Sequence, residues 1–172
     1  NDVLDTESIE NDQLSLEIRP TAVNDICHLA IDNVFECGRP DKSDINFVFK
    51  PGADNSLLVE TDGQRVSQVL VNLLTNAVKF SEKGTVTLSY TVDTAANKLE
   101  FTVTDQGIGI PDGQEEAIFD RFRRLDHTTP GFGLGLYISR LIASVLGGSL
   151  KVDTAYRGGA RFVFTIPVRA QQ

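Results

Sequence analysis

Apolar positions recur along the chain with two periods. Val23, Ile26, Leu29, Ala30 and Val34 share a helical stripe, with Phe35 at its border. They predict a first helix, capped by Thr21 and stopped by Gly38 and Pro40. A longer helix is predicted from a cap at Asp62 to about Phe80. Its core stripe is Val66, Val69, Leu70, Leu73, Leu74 and Ala77, and SEKG (81–84) closes it. A third helix, about 134–146, ends at Gly147-Gly148. Period two marks the strands. LSLEI (14–18) is one, ended by Pro20; INFVFK (45–50) and SLLVET (56–61) are two more, joined by the turn-rich PGADN. TVTLSYTV (85–92) and KLEFTVTD (98–105) flank DTAAN and predict an antiparallel hairpin. SLKVDT (149–154) and ARFVFTIP (160–167) complete the set. Residues 1–13 are polar and acidic, with Val3, Leu4 and Ile9 near helical spacing, and resemble the frayed end of a helix. The pattern predicts an α+β fold: a two-layer α/β sandwich, with one mixed sheet of about five strands and three main helices on one face.

Composition narrows the function. The 172 residues suit one domain, and 16 Lys+Arg against 24 Asp+Glu leave a net charge of −8, which disfavours nucleic-acid partners. No apolar run exceeds three residues, far short of the about 20 of a membrane helix. Cys27 and Cys37 are too few for a disulfide framework or a four-ligand zinc site, and are expected to be reduced thiols of a cytoplasmic domain. There is no Met and the first residue is Asn1, so the chain is expected to be a piece of a longer protein.

Three clusters carry candidate chemistry. Asn72, Asn76, Lys79 and Phe80, at i, i+4, i+7 and i+8 of the long helix, share a face beside the core stripe. Asn is a poor helix former, so two of them in register with a cation and an aromatic ring point to a site. The chemistry suits a nucleotide: amide oxygens for Mg2+, an ammonium for phosphate, a ring for a base. Asp105-Gln106-Gly107-Ile108-Gly109-Ile110-Pro111 sets an acceptor at a strand end before glycines that admit a flat ligand. Gly131-Phe132-Gly133-Leu134-Gly135-Leu136 opens into a helix, whose free N–H groups suit an anion. Between these clusters, IFDRFRRLDH (118–127) predicts a short helix anchored by Phe119 and Phe122. It brings Arg121, Arg123 and Arg124 into an acidic chain.

Together these residues resemble the catalytic ATP-binding domain of a sensor histidine kinase, in the Bergerat-fold (GHKL) ATPase superfamily. The resemblance runs from about Asp12 onward and rests on four ordered motifs. They are an N box (68–80), a first glycine box (105–111), an F box (118–126) and a second glycine box (131–136). It implies ATP and Mg2+ as cofactors. It implies Asn76 as the Mg2+ ligand with Asn72 beside it, Lys79 on the phosphates, Phe80 flanking adenine and Asp105 accepting from its amino group. Gly107, Gly109 and Ile110 would admit the nucleotide. Arg124 would reach the γ-phosphate, and Gly131, Gly133, Leu134 and Gly135 would shape the phosphate loop. A mobile lid is implied at about 112–130, although Phe132 and the short HTTP (127–130) depart from the family's pattern.

Hydrolysing branches of this superfamily carry a general-base Glu where this chain has Asn72. An amide cannot take that proton, so the γ-phosphate is expected to pass to an outside nucleophile. Neither His28 nor His127 has the family's acceptor context, H-E-x-x-T-P. The resemblance therefore implies an acceptor histidine upstream, on a dimerisation domain whose second helix ends at about residue 12. It also implies a homodimer, membrane attachment encoded elsewhere, and a response regulator or receiver domain as partner. The alternatives are another Bergerat ATP-binding domain, such as an anti-sigma serine kinase, or a degenerate nucleotide-binding regulatory module.

Overall fold

The structure is a computed structural model that describes residues 16–37, 45–53, 57–81, 83–93, 95–120 and 135–171. Among them the order is β1 (Arg19–Ala22), α1 (Val23–Cys37), β2 (Ile45–Lys50), β3 (Leu58–Thr61) and α2 (Gly63–Lys79). Then come β4 (Gly84–Asp93), β5 (Lys98–Thr104), a 3-10 turn (Ala117–Phe119), α3 (Gly135–Val145), β6 (Ser149–Val152), β7 (Arg161–Pro167) and β8 (Arg169–Gln171).

The main sheet has five strands in the order β2-β4-β5-β7-β6. It is mixed: β2 runs parallel to β4, and the other pairs are antiparallel. Alternation decides its faces. Val86, Leu88, Tyr90, Leu99, Phe101, Val103, Phe162, Phe164 and Ile166 are buried, while their polar neighbours stay partly or fully exposed. The helices cover the buried face, α2 lying between α1 and α3. The α/β sandwich is therefore as the pattern predicts, and so is the hairpin, with Asp93 opposite Lys98. All six predicted stripe residues of α2 are buried, and the Asp62 carboxylate caps the helix by accepting from the Arg65 N–H at 3.2 Å.

Other expectations fail for identifiable reasons. Residues 16–18 are not a strand; the Glu17 N–H donates to Asp62 Oδ2 at 3.0 Å, so this backbone is tied to a helix cap. Pro20 lies inside β1 rather than ending it, because β1 is an edge strand, where a missing N–H is tolerated. Thr21 does not cap α1; its hydroxyl donates to the Arg19 carbonyl at 2.9 Å, and α1 follows β1 directly. Leu29 is 53% exposed and Cys27 is buried in its stead. The stripe centres on Val23, Cys27, Ala30 and Val34, and Leu29 projects about 120° away. β3 does not enter the main sheet: it joins β1 and the short β8 in a separate three-stranded sheet. β8 is polar and had no predicted counterpart. No helix among the described residues is long and apolar enough to cross a membrane.

Burial raises the Cys27 thiol to about 12. In a Cys37→Ser variant, Cys27 is expected to resist a thiol-specific disulfide reagent in the folded protein and to react stoichiometrically once urea unfolds it. Fast labelling of the native protein would contradict this.

Candidate functional site

α2 delivers the first part of the site. Asn72, Asn76, Lys79 and Phe80 are all half-buried, at the border between the buried stripe and solvent. The helix ends at Phe80, whose N–H donates to the Asn76 carbonyl at 3.0 Å. The Phe80 carbonyl accepts from the Ile108 N–H at 3.3 Å, which ties the helix end to the loop after β5. Gly107 is needed at this junction, since a Cβ there would lie 2.2 Å from the Phe80 carbonyl oxygen.

That loop brings the acceptor. Asp105 is 4% exposed. Its Oδ1 accepts from two backbone N–H groups, Gly107 at 2.9 Å and Ala160 at 3.0 Å. Among the described residues Oδ2 accepts from none. Burial raises the carboxyl pKa above its usual 3.8, and the two N–H bonds oppose that rise.

Asn76, Phe80, Asp105, Gly109, Ile110, Leu136, Ala160 and Phe162 line one cavity. Its wall is apolar apart from the Asn76 amide and the Asp105 carboxylate. Five of the eight were expected from the sequence. Leu136, Ala160 and Phe162 were not singled out. Leu136 stands within the second glycine cluster, but Ala160 and Phe162 arrive from β7 and its entry, with no local signal.

Lys79 is not among these lining residues; its ammonium lies 6.0 Å from the Phe80 ring centroid. Asn72 is also absent from the lining. Its amide donates to the Gly135 carbonyl at 3.3 Å and to the Ser139 hydroxyl at 3.0 Å, joining α2 to the first turn of α3. Gly135 is thus placed at the start of α3, against Asn72. Arg124, Gly131, Gly133 and Leu134 lie outside the described residues, as do His127, Phe122 and the 121–130 part of the expected lid.

Two residues of the described part of that span are packed into the core. Ile118 and Phe119 are buried, and the Phe119 ring meets Phe162 edge-on at 6.2 Å. The Arg140 guanidinium of α3 lies 4.4 Å over Phe119 and pairs with Glu116 at 2.6 Å, which lowers the Glu116 carboxyl pKa. His28 is exposed, with its ring edge against Phe49 at 5.1 Å. Among the described residues no cluster of three or more His, Cys, Asp or Glu could hold a metal.

Residues 61–170 match the family model for histidine kinase-, DNA gyrase B- and HSP90-like ATPases. The chain is 32% identical to the circadian input-output histidine kinase CikA of Synechococcus elongatus, over 97% of this chain and 22% of that protein. It is 39% identical to the sensor histidine kinase WalK of Bacillus subtilis, over 69% of this chain and 20% of that protein. It thus spans about a fifth of the length of these two relatives. Among solved structures, full-length ShkA in complex with AMPPNP superposes with a TM-score of 0.84. It is 26% identical and the match covers 98% of this chain and 35% of that one. The catalytic domain of histidine kinase ThkA superposes at 0.75 and 30% identity, over 88% of this chain and 95% of that one. With its cavity between α2 and the Asp105 loop, the chain belongs to the histidine kinase-, DNA gyrase B- and HSP90-like ATPase family, on the side of the histidine kinase catalytic domains.

Proposed function

We propose that this domain binds Mg-ATP in the cavity below Asp105 and passes the γ-phosphate to a histidine on a separate dimerisation domain of the same protein. The observation that carries the reading is the state of Asp105. One oxygen is held by two backbone N–H groups, and the other is left for a donor such as an adenine amino group. Phe80, Ile110, Leu136 and Phe162 supply apolar walls for the ring, and Gly109 leaves room along its edge. Among the described lining residues Asn76 is the one amide, and in this reading it offers its oxygen to a cation. A single protein ligand suits Mg2+, which keeps waters and takes the rest of its shell from phosphates.

In this reading Lys79 and Arg124 neutralise phosphate charge, and Gly131, Gly133, Leu134 and Gly135 form the phosphate loop. The expected lid at about 112–130 covers the ligand, with the buried Ile118 and Phe119 fixing its near part to the core. Asn72 holds α3 to α2 and offers no base for water, which favours transfer over hydrolysis. Residues 1–12 belong to the end of the upstream helix, and residues 13–172 to the ATP-binding domain. The dimer and the response regulator follow from the same reading.

The decisive experiment uses γ-labelled ATP. The chain alone is expected to stay unlabelled, and label is expected on the histidine-bearing dimerisation domain when that is added. Strong self-labelling at His28 or His127, or phosphate release as fast without the acceptor, would overturn the proposal. Nucleotide at a hundred times its Kd is expected to stabilise the fold by about 2.7 kcal/mol. That gain should require Mg2+ and vanish in Asn76→Leu, which removes the ligating oxygen.

A further inference from the structure

Asp105 is the first residue after β5, and a segment 51 to 55 residues further along the chain holds it in place. The Asp105 N–H donates to the Ala160 carbonyl at 2.9 Å, and the Ala160 N–H returns to Asp105 Oδ1 at 3.0 Å. The Tyr156 hydroxyl donates to the Asp105 carbonyl at 3.1 Å. Gly159 lets the two backbones close: a Cβ there would lie 2.2 Å from the same carbonyl oxygen. Tyr156 is itself fixed, its ring 4.2 Å under the Arg161 guanidinium, which also bonds to Thr104 Oγ1 at 3.2 Å. One residue further, Arg157 pairs with Asp112 at 2.6 Å on the exposed surface just past the glycine loop.

We infer that the turn between β6 and β7 sets the aim of the Asp105 carboxylate, with Tyr156 as its positioning residue. The inference rests on the reading that Asp105 receives the adenine amino group. Tyr156 touches no ligand in this scheme. Its hydroxyl fixes the Asp105 peptide plane, and the adjoining N–H contacts fix the carboxylate, so that Oδ2 presents itself in one direction. Base selectivity then depends on a residue on the outer side of the loop. A pre-aimed acceptor gains affinity because less freedom is lost on binding.

Tyr156→Phe keeps the ring and its stacking on Arg161 while deleting the hydroxyl. Binding of two probes is measured with the full chain: AMPPNP and purine riboside triphosphate, which lacks the exocyclic amino group. AMPPNP is expected to bind about two- to tenfold more weakly, the size of one neutral hydrogen bond. The purine riboside analogue, with nothing to donate to Asp105, should bind variant and wild type alike. Equal loss for both probes would make Tyr156 a general structural support and overturn the inference, and no loss for either would also overturn it. If the wild-type chain binds neither probe, the ATP reading itself fails, a result distinct from wild-type binding that Tyr156→Phe leaves untouched.

Discussion

Asp105→Asn is expected to bind ATP about 10- to 100-fold more weakly than the wild-type chain, the range of a hydrogen bond to a charged group. Asparagine nearly matches aspartate in shape. Its amide oxygen can take the place of Oδ1 and keep the N–H bonds from Gly107 and Ala160. The amide nitrogen then occupies the place of Oδ2 and points a donor at a donor. The fold should not suffer. Burial raises the Asp105 pKa, so the native state holds its proton to higher pH than the unfolded chain does. The stability difference between aspartate and asparagine is therefore flat below the unfolded value of 3.8. As pH rises from there through the native pKa, the wild type loses stability relative to the variant. At neutral pH Asp105→Asn should melt no lower than wild type while losing its nucleotide. Calorimetry across pH with a parallel binding titration reads both. Binding undiminished in Asp105→Asn would remove the carboxylate from the recognition scheme.

Phe101→Ala is the largest expected loss of stability, about 3–5 kcal/mol. Phe101 is fully buried at the centre of the sheet. Its ring stacks on Phe164 of β7 at 5.8 Å and tilts against Tyr90 of β4 at 6.0 Å. Removing it leaves a void beneath three strands, because neighbours on a hydrogen-bonded sheet cannot collapse into it. At about 2–4 °C per kcal/mol for a chain of this size, the melting temperature should fall by roughly 10 °C. Denaturant titration checks the figure; a loss under about 1 kcal/mol would mean the core repacks around the gap. Nucleotide affinity in the cold should be retained, since Phe101 does not line the cavity.

Legibility followed locality. The face of α2 bearing Asn76 and Phe80 was readable because a helix puts residues four apart on one side, whatever lies opposite. The Asp105 loop was readable because its acceptor and glycines are contiguous. Tyr156, Ala160 and Phe162 were not. Ala160 and Phe162 reach the cavity, and Tyr156 reaches the Asp105 carbonyl, only because β7 pairs with β5, setting Arg161 beside Thr104. No pattern within ARFVFTIP distinguishes a residue that holds a carboxylate from one that fills a core. The misplaced first strand has a related cause: alternation in LSLEI is real, but Glu17 spends its N–H on a helix cap 45 residues away. Pro20 reads locally as a terminator, because nothing in the local pattern marks β1 as an edge strand.

The small sheet sets an order of assembly during synthesis. β3 pairs on one side with β1, which precedes it, and on the other with β8, where Leu58 lies opposite Gln171. A ribosome making this chain releases β1 and β3 early and β8 last, about 110 residues after β3, or roughly 5–20 s later at usual elongation rates. Throughout that interval β3 presents an unpaired edge, and two strands alone are marginal in water. Closing a loop of this length is also slow compared with local pairing. The nascent domain should therefore be most vulnerable to proteases and to mispairing at Leu58–Thr61 until its last strand emerges.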